Sequence, residues 1–173
     1  MQELAARLAG GETAAFAELY DACANQLHHY LVVRLRSRDA ADDVLQETFL
    51  RLARLRHAFK SVENPVAYAF TVARNEANRR QQRAGREGFS LTMEDLFQVA
   101  GQDDREQREN TEAVTKALRN LTEEQREVIE LKFYGGLTLR EIGEVTGVPQ
   151  GTVATRYRAA IGLLRNSLAK EWS

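Results

Sequence analysis

Residues 137 to 165, LTLREIGEVTGVPQGTVATRYRAAIGLLR, leave the chain the least freedom. Thr138 and Glu141 form a capping box, in which each side chain satisfies an orphan backbone N–H at the start of a helix. The short helix they open is closed by Gly147, where the chain reverses with a positive φ that a Cβ disfavours. Pro149 then precedes a longer helix, from about Gln150 to Ala169. A short helix, a tight turn and a longer helix make a helix-turn-helix. Ile142, Val145, Val148, Val153, Tyr157, Ile161 and Leu164 recur at the spacing that closes its small core.

Similar signals run through the rest of the chain. Thr122 with Gln125 is a second capping box, opening a helix through Leu131 and Phe133 that Gly135-Gly136 stops. Near the N-terminus, Phe16, Leu19, Cys23, Leu27 and Leu31 step by three or four residues, one apolar stripe on a helix over about 13–36. A second helix spans about 39–56, with Val44, Leu45, Thr48, Phe49, Leu52 and Leu55 on one side and Asp39, Asp42 and Asp43 in or near a first turn that favours acids. A third starts at Pro65, a good first-turn residue, and buries Val66, Ala69, Phe70, Ala73 and Ala77. These three helices suffice for one small core. The fold class is therefore all-α: two small helical domains, residues 1–84 and 113–173, the second a helix-turn-helix.

Between them, residues 85–112 lose the helical period and carry eight Asp/Glu against three Arg. This reads as a flexible acidic linker with a helical turn near Thr92 to Phe97, since loops this long are uncommon inside one domain. A solvated tether with no further role remains an equal reading.

Charge bounds the function. The net charge of −1 excludes a globally basic nucleic-acid binder, so any such contact comes from local patches. One lies between Pro149 and Lys170, with four cations and no acid. There Gln150, Thr152, Thr155, Arg156 and Arg158 combine short hydrogen-bonding groups and long cations, the set that reads base edges and grips phosphate. The bland alternative is a hairpin used only for packing. The other patch runs from Pro65 to Arg86, with five arginines, one acid (Glu76), interleaved Asn64, Asn75 and Asn78, and Phe59, Tyr68 and Phe70 nearby. Basic groups with amides and aromatics suit single-stranded or opened DNA, though Phe70 also fits a core and a basic helix is often only solvated.

Both patches stand in the order found in a known family. The chain resembles the extracytoplasmic-function sigma factors in DAADDVLQETFLRLAR (residues 39–54), NPVAYAFTVARNEANRR (64–80) and the stretch from Leu121 to Arg165. The resemblance implies a protein that binds core RNA polymerase and directs initiation at a two-part promoter. It assigns Asp42, Asp43, Gln46, Glu47, Phe49 and Leu50 to core-polymerase binding. Phe59, Lys60, Ser61, Asn64, Tyr68, Arg74, Asn75, Asn78 and Arg79 are assigned to minus-ten recognition, including capture of a flipped base. Gln150, Thr152, Ala154, Thr155, Arg156 and Arg158 are assigned to the minus-thirty-five duplex. The last face is less basic than usual in the family, at Ala154, Ala159 and Ile161. The resemblance also implies an anti-sigma partner, and it would thread the linker toward the polymerase active site.

Other functions find little support. Cys23 sits on the apolar stripe, as a core filler does, and the adjacent His28 and His29 point about 100° apart on a helix, so no metal site is expected. No phosphate-cradling glycine loop or nucleophile motif occurs, so neither cofactor nor catalysis is expected. A lone cysteine, the absence of a signal-peptide core and the lack of about 18 consecutive apolar residues point to a cytoplasmic protein without membrane insertion. Two other readings stay open: a stand-alone dimeric regulator that binds a palindrome, and an antagonist that occupies polymerase without needing promoter contacts.

Overall fold

Amphipathic helices joined by tight turns make up the described residues, which in this computed structural model are 2–84 and 117–171. The linker read at 85–112, with its helical turn near Thr92 to Phe97, lies outside them. The chain opens with α1 (Gln2–Gly10), which the periodicity did not reveal. An isolated helix this short is unstable in water; packing makes it, by burying Leu4, Ala5, Leu8 and Ala9. Helix α2 (Thr13–Leu35) follows and ends at Arg36 in the left-handed region. As read from the sequence, Leu19, Cys23, Leu27 and Leu31 are fully buried and Phe16 is half-buried. Burial pushes the Cys23 thiol up to about 12, consistent with a core filler.

Ser37 caps α3 (Arg38–Arg54), its hydroxyl accepting from the Ala40 N–H at 3.2 Å. This helix stops two residues short of the expected end. The chain then tightens into a 3-10 helix (Arg56–Ser61), which leaves Leu55 exposed at the junction. Asn64 accepts from the Ala67 N–H at 3.1 Å and so caps α4 (Pro65–Ala84). Beyond the linker come α5 (Glu123–Phe133), α6 (Leu139–Thr146) and α7 (Gln150–Glu171).

Both capping boxes form as read, at Thr122 with Gln125 and at Thr138 with Glu141, and Gly147 closes α6 with a φ of 71°. A second glycine matters through space rather than φ. A Cβ on Gly143 would lie 2.9 Å from the Val148 carbonyl oxygen, so this position sets how closely the turn folds back on α6.

The core departs from the expectation of a separate small core in each region. Helices α2, α3 and α4 pack together, but α2 also meets α5, and α4 meets α6. One apolar cluster runs from Leu27, Tyr30 and Phe70 through Leu131 to Ile142 and Val153. The reason lies in the end of α2, where Tyr30 to Leu35 are all buried and the single stripe widens to the whole circumference. A smaller cluster of Leu121, Ile129 and Ala160, with Leu118, Tyr157, Ile161 and Leu164, belongs to the C-terminal helices alone. Among the described residues, no helix is long and apolar enough to cross a membrane, and no group of three or more His, Cys, Asp or Glu is placed to hold a metal ion.

Candidate nucleic-acid interface

The two basic faces have different surroundings. On α7 the core side is taken by Val153 and Ala160, with Tyr157, Ile161 and Leu164 partly buried beside them. This leaves Gln150, Thr152, Thr155 and Arg158 exposed along the outer side, and no acid stands in the first turn. Ala154 and Arg156 are half-buried and flank that face. The Thr155 hydroxyl donates to the Gly151 carbonyl at 3.0 Å, and Arg158 Nε donates to that of Ala154 at 3.2 Å. These are local bonds, readily exchanged for a base edge or phosphate. The exposed helix N-terminus adds a favourable dipole for an anion.

The face of α4 is largely engaged. Arg74 Nε and Nη2 donate to the two oxygens of Glu127, on α5, at 2.7 and 3.0 Å. Asn64 Nδ2 donates to Glu141, on α6, at 3.1 Å. Asn78 accepts from Arg34 Nη2 at 3.2 Å. Arg79 turns back to Glu76 at 2.9 Å, and Arg80 reaches Asp43 on α3 at 3.2 Å. Asn75 is exposed.

The residues just before α4 divide in two. Lys60 and Ser61 are exposed, with the serine hydroxyl donating to the Ala58 carbonyl at 3.1 Å. Phe59, in contrast, is buried edge-on between Phe16 and Tyr68, at centroid distances of 6.3 and 5.3 Å. Its ring packs into the core beneath the 3-10 helix. Between that helix and α1 runs an open groove of about 910 Å³, flanked by Arg56, His57, Lys60 and Ser61.

On α3, Asp42, Asp43 and Gln46 are exposed and Glu47 is half-buried; Asp42 pairs with His28 at 2.9 Å and Glu47 with Arg54 at 3.6 Å. Leu50 is 46% exposed, and Phe49 lies against Tyr20, itself 48% exposed, at 4.8 Å. An acidic rim around uncovered apolar groups is the composition of a docking surface.

Sequence reasoning missed the charged cluster at the junction of the two regions. Arg34, on α2, pairs with Glu123, with Glu130 at 3.4 Å and with Glu127 at 3.8 Å. Its side chain and those of Glu127 and Glu130 are less than a tenth exposed. Burial pushes the Glu130 carboxyl up to about 7, against the opposing pull of Arg34. The Tyr30 hydroxyl and Arg34 Nε are buried beside them without a hydrogen-bond partner. One signal was present: Arg34 interrupts the apolar run YLVVRL, and such a charge needs a partner.

Matches to known proteins follow this division. Residues 19–87 match Sigma-70 region 2, and residues 117–166 match Sigma-70, region 4. The ECF RNA polymerase sigma factor SigK of Mycobacterium tuberculosis is 30% identical over 179 residues, spanning 97% of this chain and 93% of that one. The chain belongs to the extracytoplasmic-function sigma factors. It is thus an alternative sigma factor, a subunit for promoter-specific initiation. BldN of Streptomyces coelicolor, in the same family, is 31% identical over 171 residues, 95% of this sigma factor and 65% of that relative. The sigma factor RpoE, solved with the anti-sigma factor NepR from Bartonella quintana, superposes with a TM-score of 0.61 at 25% identity, covering 83% of this chain and 89% of that one. CnrH, solved with the cytosolic domain of CnrY, shares the fold with a TM-score of 0.68 at 24% identity, covering 98% and 97%.

Proposed function

We propose that this sigma factor recognises its promoter in two steps carried by two units, residues 1–84 and 113–173, tethered through 85–112. The observation that carries this reading is the open face of α7 against the engaged face of α4. Gln150, Thr152, Thr155 and Arg158, flanked by Ala154 and Arg156, read the minus-thirty-five duplex from the major groove. Arg74, Asn75, Asn78 and Arg79 hold the melted minus-ten strand. Lys60, Ser61 and Asn64 border the place where a flipped base is received, while Phe59 and Tyr68 stiffen that border. Asp42, Asp43, Gln46 and Glu47, with Phe49, Leu50 and the neighbouring Tyr20, dock on core RNA polymerase.

Each DNA face offers only a few cations, so neither binds tightly alone. Polymerase supplies the missing affinity by fixing the distance between the faces, an effective-concentration gain. It also supplies the catalysis, and the chain itself is no enzyme. The protein acts in the cytoplasm, where the polymerase is. Its structural neighbours were solved with partner proteins, and an anti-sigma factor is the partner class we assign here too.

Run-off transcription with core polymerase, on DNA taken upstream of the gene for this protein, tests the proposal. The expected result is a discrete transcript that requires the protein and disappears in Arg156→Ala plus Arg158→Ala. A stable dimer that binds a palindrome and supports no transcript overturns it.

A further inference from the structure

We propose that the free chain inhibits itself: carboxylates of α5 and α6 occupy the strand-binding side chains of α4 in place of DNA phosphate. The inference rests on the minus-ten assignment above. Its geometry is that of a substitute ligand. Glu127 takes the bidentate fork of Arg74 that a phosphate takes, because guanidinium presents the same planar pair of donors to either anion. Glu141 takes the Asn64 amide, a donor assigned above to the minus-ten site. Arg34, held by the carboxylates of α5, in turn donates to Asn78. The C-terminal region therefore lies against Asn64 and Arg74 and, through Arg34, restrains Asn78.

The chemistry of the seam favours a releasable contact over permanent packing. A buried ion pair returns little net stability, since desolvating both charges offsets most of their attraction. Two buried polar atoms, Tyr30 Oη and Arg34 Nε, have no hydrogen-bond partner there. Exchanging Glu127 for a phosphate leaves Arg74 paired throughout, so opening on DNA strands no charge. The reading face of α7 stays exposed in this closed form. Duplex contact can then precede opening, and strand capture follows it.

The test uses the full-length protein and a fluorescein-labelled single-stranded oligonucleotide of mixed sequence, read by anisotropy at low salt. Glu127→Gln plus Glu141→Gln removes both anions while keeping an acceptor at each place, and glutamine preserves the capping box. Glu3→Gln plus Glu18→Gln removes the same charge at exposed residues of α1 and α2. We expect the first pair to bind at least about tenfold tighter than the second, the gain when a closed form holding about 90% of molecules is emptied. The added substitution Arg74→Ala should abolish that gain. Small-angle scattering should show the first pair expanded. Equal binding by the two pairs, or a gain that survives Arg74→Ala, overturns the inference.

A measurement on the unaltered protein guards against a variant that fails to fold. Saturating oligonucleotide should increase its radius of gyration, and unchanged dimensions in the bound protein overturn self-inhibition. Wild-type transcription, scored in parallel, separates the two levels. A transcript without any oligonucleotide gain overturns self-inhibition alone, whereas no transcript overturns the minus-ten assignment and the inference with it.

Discussion

The α4 face and the α7 face are alike in sequence, each a helix with a local excess of cations, yet they differ in what surrounds them. On α7 Thr155 and Arg158 bond within their own helix, Gln150 and Thr152 face solvent, and Arg156 feels the Glu124 carboxylate of α5. On α4 Arg74, Asn78, Arg79 and Arg80 are held by carboxylates or an arginine, and two carboxylates, Glu127 of α5 and Glu141 of α6, reach Arg74 and the capping Asn64. Local net charge therefore identifies a surface that can bind an anion, but not whether one is already bound. That depends on which carboxylates the fold brings within reach, and Glu127 lies 53 residues from Arg74 in the chain.

The largest effect that could break this contrast is the loss of Arg34. Arg34→Ala would leave Glu130 buried without its cation, while Glu127 keeps Arg74, and should cost about 3–5 kcal/mol of stability in chemical denaturation. A cost below about 1 kcal/mol would mean that the two regions do not rest on each other in solution, and α4 would be as open as α7. Next in size is the readout on α7. Arg156→Ala plus Arg158→Ala should weaken binding to a duplex selected by the protein about 10- to 100-fold, while Arg74→Ala should leave duplex binding unchanged. Equal losses would erase the distinction between the faces.

A third effect comes from pH. Burial raises the Glu130 carboxyl to about 7, with Tyr30 and Arg34 from α2, Arg74 from α4, and Glu123, Arg126 and Glu127 of α5 around it. A group raised by burial stabilises the packed state fully below its ordinary carboxylate range and loses that contribution as pH rises through about 7. Packing of α5 on α2 should therefore weaken between about pH 5 and 8, by less than the Arg34 loss because Arg34 opposes the shift. Glu130→Gln should flatten that dependence in scattering or unfolding profiles. The smallest effect sharpens the comparison from the α7 side. Thr138→Ala removes half of a capping box and should cost about 1 kcal/mol in denaturation, loosening the helix-turn-helix without touching the seam.

Much of the architecture was legible in the residues. Periodicity located α2, α3 and α4, and the capping boxes and Gly147 located α5 and α6, because these signals act within one or two turns of backbone. Helix α1 was not legible, since its stability comes from burying Leu4, Ala5, Leu8 and Ala9 against the rest of the fold rather than from its own length. Phe59 was read at the minus-ten face, and the structure buries it between Phe16 and Tyr68. An aromatic near a basic patch looks the same in sequence whether it stacks on a base or on a neighbouring ring. Tyr20 was overlooked for the converse reason: it lies one residue beyond Leu19 on the α2 stripe, and only the approach of Phe49 on α3 makes it part of a surface.

By itself the sequence determined the class, the helix starts and stops, the helix-turn-helix and the family, because each depends on hydrogen bonds and side-chain spacing along a short stretch. Tertiary structure alone decided that the two regions share one core, that Arg34 is buried among three glutamates, and that Arg74 and Arg80 of α4 already hold carboxylates from other helices. Those outcomes depend on distances between residues far apart in the chain. They are set by how the widened apolar end of α2 packs, and no local pattern encodes that.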